Sequence, residues 1–122
     1  MILGIGTDLV DSRRMADGLA RHGTRFSDRL LAPAERAAFA ASHRPALFLA
    51  KSFAAKEAFA KAAGTGLRAP LTLHSLLLRR DALGKPYFEC APELAAWLSA
   101  RGAAARHVSA TDEGALVEAF VC

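Results

Sequence analysis

The chain has 122 residues with 16 basic and 12 acidic side chains, a net charge of +4 at neutral pH. With 52% hydrophobic and 23% charged residues it can bury a core over one domain spanning residues 1–122, which excludes a disordered segment. No apolar run approaches the roughly 18 residues of a membrane span. Ile2 to Val10 alternates loosely around glycine and predicts a buried strand that turns polar at Asp8. Asp11 can cap a helix from Ser12 to about His22, with Gly23 as its stop. A short helix around Phe26 to Leu31 follows, and Pro33 opens another to about Ala41. The longest helical pattern runs from Ala46 to Ala63 and closes at Gly64-Thr65-Gly66. Beyond Pro70 the character turns extended, with a strand over Thr72 to Arg80, a turn at Asp81 to Gly84 and a return strand over Pro86 to Glu89. Pro92 opens a helix to about Arg101, and two strands, about Arg106 to Thr111 and Ala115 to Val121, meet around Gly114. This order predicts an α+β fold with an antiparallel sheet packed on a long helix.

Positive charge is concentrated in one third of the chain. Between Arg13 and Arg44 seven arginines stand against Asp17, Asp28 and Glu35, and the remainder is balanced. A basic surface of this kind attracts an acidic partner, whether nucleic acid, anionic membrane or acidic protein; it is equally what a solvated helical face looks like. Met1 to Thr7 lacks a basic lead and meets Asp8 too early for a signal peptide. Together with Cys90 and Cys122, read as free thiols, this makes a cytoplasmic protein the expectation.

The long helix holds the most informative pattern. At 100° per residue Ala50, Ala54, Glu57 and Lys61 share one stripe, so an acid and a base lie on a face lined by alanines that leaves room for a ligand. The same spacing describes an exposed Glu–Lys pair contributing about 0.2 to 0.5 kcal/mol. Asp8 shifts the balance, because a carboxylate ending a buried strand needs a cation, a donor set or an ion pair beside it. Asp8 with Glu57 would make a two-carboxylate oxygen site suited to Mg²⁺, which completes its shell with water and phosphate oxygens. Lys61, one turn beyond Glu57, would sit beside those phosphates as a point charge.

Five segments now stand together: Gly4-Ile5-Gly6-Thr7-Asp8-Leu9-Val10, Phe53-Ala54-Ala55-Lys56-Glu57-Ala58 through Lys61, Gly64-Thr65-Gly66, Gly84-Lys85-Pro86, and His107-Val108-Ser109. In order and spacing, and over essentially the whole chain, they resemble the holo-acyl-carrier-protein synthases. The resemblance implies the single-copy 4'-phosphopantetheinyl transferase fold, assembled as a homotrimer with active sites between subunits. The implied reaction moves the 4'-phosphopantetheine arm of coenzyme A to a serine of apo-acyl carrier protein and leaves adenosine 3',5'-bisphosphate. Asp8 and Glu57 match the family's Mg²⁺ ligands and Lys61 its lysine near the diphosphate, making these three the implied catalytic set. Lys61, Gly64, Thr65, Gly66, Lys85, Pro86, His107 and Ser109 match positions near coenzyme A. Arg14 matches a position that meets the acidic carrier protein, with Arg13, Arg21 and Arg25 as helpers; neither nucleic acid nor membrane is an implied partner.

The serine proton would pass to a carboxylate or to a water held at the metal site. Leu47 and Ser52 stand where near relatives often carry arginine, and Asp112 where many carry histidine, so the resemblance implies either weaker coenzyme A binding or a shift of the nucleotide phosphate contacts to Arg44, Lys51 or Lys56. Those departures also admit a coenzyme A-binding protein without catalysis. The arginine cluster admits a small basic RNA-binding module, for which one Tyr and one Trp offer little stacking surface.

Overall fold

The computed structural model describes residues 1–122. Strand β1 (Gly6–Asp11) runs into helix α1 (Ser12–His22), followed by α2 (Thr24–Leu30), a 3₁₀ turn (Pro33–Glu35), α3 (Arg36–Ala40) and the long helix α4 (Pro45–Ala63). The hairpin β2 (Leu76–Arg80) and β3 (Pro86–Cys90), helix α5 (Pro92–Ala100), and strands β4 (Val108–Glu113) and β5 (Leu116–Val121) complete the chain. The architecture is α+β, as predicted, but the strands divide into two antiparallel sheets, one ordered β1-β5-β4 and the other the β2-β3 hairpin.

Local chemistry accounts for the helix ends. The Asp11 carboxylate accepts the Arg13 backbone N–H at 2.9 Å and so caps α1, and Pro45, Pro33 and Pro92 each occupy a first-turn position where no donor is lost. Gly64 ends α4 in the left-handed region, at φ 79°, with its N–H shared between the carbonyls of Ala60 and Lys61.

Two strands are shorter than their sequence patterns. β1 begins at Gly6 because its only partner, β5, ends opposite it, with Gly6 facing Val121. Thr72 to Ser75 folds on itself instead of extending, since the Thr72 N–H donates to Ser75 Oγ at 2.8 Å and the Ser75 N–H to the Thr72 carbonyl at 3.2 Å.

Helix α4 is the axis of the molecule and packs against β1 and β5. The approach is close enough that a Cβ on Gly6 would overlap the Ala58 carbonyl, and one on Gly4 the Ala62 carbonyl. Alternation then sorts the three-stranded sheet: Asp8, Val10, Val117, Ala119 and Val121 face α4, while Thr7, Leu9, Leu116, Phe120 and Ser109 face outward. On the hairpin side Phe59 of α4 meets Phe88 edge to face at 5.1 Å.

Candidate active site

Asp8 and Lys61 meet because β1 presents even-numbered residues to α4. Lys61 Nζ donates to Asp8 Oδ1 at 3.0 Å and to the Thr7 carbonyl at 2.9 Å, although the two residues are 53 positions apart. The Asp8 carboxylate is mostly covered, whereas about half of the Lys61 side chain reaches solvent. Glu57 lies one turn before Lys61 on the same stripe. Burial raises its carboxyl pKa above the usual value, the neighbouring Asp8 charge raises it further, and Lys61 opposes both. Two carboxylates that repel each other at the rim of a helix–strand junction form a hard oxygen-donor pair, and one partly exposed ammonium neutralises only part of their charge. This donor chemistry fits a divalent cation such as Mg²⁺.

The turn after α4 continues from this site. Gly64 and Gly66 both adopt left-handed backbone, at φ 79° and 67°, and a Cβ on either would meet nothing within 4 Å. Thr65 between them is exposed to solvent on one side, its hydroxyl donating to the Gly66 carbonyl. Backbone is therefore bare within one turn of Lys61. Lys85 and Pro86 lie elsewhere, at the β2-β3 turn, where the Asp81 carboxylate accepts the Lys85 N–H at 2.9 Å. His107 pairs through its backbone with Cys122, and Ser109 stands opposite Phe120 on the outward face. Within one chain, Ser109 is thus on the far side of the sheet from Asp8.

Arg13, Arg14, Arg21 and Arg25 are all exposed on α1 and α2. Arg13 is committed to Asp11, whose carboxyl its guanidinium holds down at about 2. The other three make no ion pair.

One polar cluster was not singled out from the sequence. Lys56 and Glu35 are fully buried and form an ion pair at 2.6 Å. Lys56 Nζ also donates to the carbonyls of Leu30 and Leu73, both at 2.8 Å. Glu35 Oε1 accepts the Ala32 N–H at 2.9 Å, and Oε2 accepts the Leu78 N–H at 3.2 Å and Ser52 Oγ at 3.4 Å. Burial lowers the Lys56 pKa, and Glu35 works against that shift. Lys56 is therefore no substitute cation for a nucleotide phosphate, because every donor it has is spent inside the protein. Ser52, at the position where an arginine was expected, is buried for the same reason. The visible signal was Ser52 and Lys56 at i and i+4, a polar stripe separate from that of Glu57 and Lys61.

Arg44 and Lys51 remain accessible in a groove of about 550 Å³ that Leu47, Arg79 and Arg80 also line. Lys51 Nζ contacts Asp112 at 3.0 Å, which lowers the Asp112 pKa and fastens α4 to β4.

Residues 4–114 match the family model described as the 4'-phosphopantetheinyl transferase superfamily. A holo-acyl-carrier-protein synthase of Thiobacillus denitrificans is 63% identical over 99% of this chain and 92% of its own. Among solved structures, the holo-acyl-carrier-protein synthase of Neisseria meningitidis superimposes with a TM-score of 0.96 at 44% identity, covering 99% of this chain and 97% of the other. That of Bacillus anthracis, solved in complex with coenzyme A (3',5'-ADP), gives 0.81 at 30% identity, covering 99% and 95%. With a matching fold and a matching sequence along its whole length, the chain belongs to the 4'-phosphopantetheinyl transferase superfamily and, within it, to the holo-acyl-carrier-protein synthases.

Proposed function

We infer that the chain transfers the 4'-phosphopantetheine group of coenzyme A to a serine of apo-acyl carrier protein, at the junction of β1 and α4. The observation that carries this site is the Lys61 ammonium, held by the Thr7 carbonyl and the Asp8 carboxylate one turn from Glu57. The carrier serine oxygen attacks the phosphorus that bears pantetheine while its hydroxyl proton passes to a carboxylate or to a water at the site, the bond from that phosphorus to the bridging oxygen breaks, and adenosine 3',5'-bisphosphate leaves with the electron pair. Lys61 stabilises the charge that grows on the leaving phosphate. Asp8 and Glu57 are the residues that would hold Mg²⁺, which supplies further neutralisation of the diphosphate when bound. The bare backbone of Gly64-Thr65-Gly66 allows the cofactor to lie against the end of α4. Arg44 and Lys51 are placed to meet nucleotide phosphates in the groove beside α4.

A homotrimer with its sites between subunits fits two features. Leu9, Leu116 and Phe120 on the outward sheet face are 63%, 49% and 41% exposed, an apolar surface that an isolated subunit leaves wet. Ser109 shares that face, and His107 lies exposed just ahead of it, so both can serve coenzyme A only in a neighbour's site. Lys85 and Pro86 would border the nucleotide from the hairpin turn. The exposed Arg14, Arg21 and Arg25, with Arg13 beside them, would draw in the acidic carrier, and salt should weaken that encounter more than cofactor binding. No helix is long and apolar enough to cross a membrane, and the reaction as written belongs in the cytoplasm.

Incubation with apo-carrier protein, coenzyme A and Mg²⁺ should add one phosphopantetheine mass to the carrier. Cofactor binding by titration calorimetry with no mass gain on any of several carriers would instead mark a binding protein without catalysis. Glu57→Gln should lower kcat/KM about 100-fold while leaving the circular dichroism spectrum unchanged. Full activity in that variant overturns the site assignment.

A further inference from the structure

We propose that Glu35 and Lys56 are positioning residues for the transfer reaction, setting the rotation of α4 about its axis so that Glu57 and Lys61 face Asp8. The proposal rests on Glu57 and Lys61 serving the reaction as described above. Nine residues of α4 are buried, on all sides of the helix, and five of them are alanines, whose short side chains have no directional contacts of their own. Leu49 and Phe59, the latter edge to face with Phe88, restrain the helix through apolar packing on their own sides, and directional hydrogen bonds add the restraint next to Glu57 and Lys61. Ser52 and Lys56 form one i, i+4 stripe, and Glu57 and Lys61 form the next, 100° around the helix. The first stripe is bolted to the surrounding chain by hydrogen bonds whose partners lie in four separate places: the end of α2 at Leu30, the 3₁₀ turn at Glu35, the loop at Leu73, and, through Glu35, strand β2 at Leu78.

The geometry makes small rotations costly. A carboxylate carried about 5 to 6 Å from the helix axis moves by about 1.5 Å for a turn of about 15°. An error of that size would open the contact between Lys61 and Asp8, now 3.0 Å, and spread the two carboxylates. Misplacement by about 1 Å at a reacting centre can cost about 100-fold in rate. A buried ion pair is a weak source of stability compared with apolar packing of the same volume, so its presence beside a catalytic stripe calls for another reason.

The test compares Glu35→Gln, which keeps the side chain's shape, and the double variant Glu35→Gln/Lys56→Met, which removes both buried charges, with the unaltered chain and with Glu57→Gln. Thermal melts set a temperature at which each folded fraction is known, and rates are taken per folded molecule. The expected result is a fall in kcat of about 10- to 100-fold in the double variant, a smaller fall in Glu35→Gln, KM values for coenzyme A and carrier within about twofold, and a crystal structure in which Lys61 Nζ has moved beyond hydrogen-bonding distance of Asp8. An unchanged kcat, a change in KM alone, or a loss that only tracks the unfolded fraction overturns the proposal. Retained activity in Glu57→Gln would instead defeat the site reading on which it stands.

Discussion

The Lys61 side chain is anchored at two points yet remains half exposed, and these two facts separate its chemical from its structural role. Lys61→Ala removes no core volume but leaves the mostly covered Asp8 carboxylate beside Glu57 without its cation, so the melting temperature should fall modestly, while kcat falls about 100-fold and KM for the carrier stays put; steady-state kinetics at saturating coenzyme A checks the split. Asp11 makes the opposite case, a carboxylate whose duty is structural. Its pKa lies at about 2 in the folded chain because Arg13 hydrogen-bonds it, below the roughly 3.9 of an unfolded aspartate. The stability it contributes is complete above the unfolded value and disappears as the pH drops toward 2. Urea titrations between pH 5 and pH 2 should therefore show a steeper decline in the unaltered chain than in Asp11→Ala. The shared stripe of Glu57 and Lys61 was legible because helical spacing is a local pattern, and Asp8 because it interrupts an apolar strand; it lies inside β1, third of its six residues, and not at the strand's end where the sequence pattern put it, and its contact with Lys61 is what the fold adds. Glu35 was not, because its partners Lys56, Ser52 and Leu78 are 21, 17 and 43 residues away and nothing near it in the chain marks a buried acid.

Among the elements, α4 shows most plainly how sequence and contact divide the work. Its start, length and glycine stop follow from Pro45, the apolar run and Gly64, all readable in order along the chain. What the pattern could not disclose is how near β1 passes. Gly4 and Gly6 look like weak points in a strand until the carbonyls of Ala62 and Ala58 are seen to occupy the space where their side chains would be. Gly6→Ala should therefore destabilise the fold by about 1 to 3 kcal/mol in urea titration, an overpacking cost against backbone that cannot swing aside. Strand limits were the least legible feature. β1 and β2 each begin later than their apolar patterns: β1 because it extends only as far as β5, at the other end of the sequence, pairs with it, and β2 because Thr72 to Ser75 closes a turn on itself.

For the whole molecule, two exposed surfaces are available to the proposed partners: the apolar outer face of the three-stranded sheet for further copies, and the arginines of α1 and α2 for the carrier. Phe120→Glu should lower the mass in light scattering from three subunits to one and abolish turnover with it, because the outward Ser109 would lose its neighbour. Raising salt from about 50 to 500 mM should cut kcat/KM for the carrier more than for coenzyme A. The placement of β5 between β1 and β4 has a kinetic consequence. Gly6 cannot hydrogen-bond to its neighbour until Val121 has been synthesised, so a nascent chain carries all five helices while the sheet side of α4 is still bare. Closure of so distant a pair carries a large loop-entropy cost and should come late in folding, and until it happens the flank of α4 that β5 covers stays exposed.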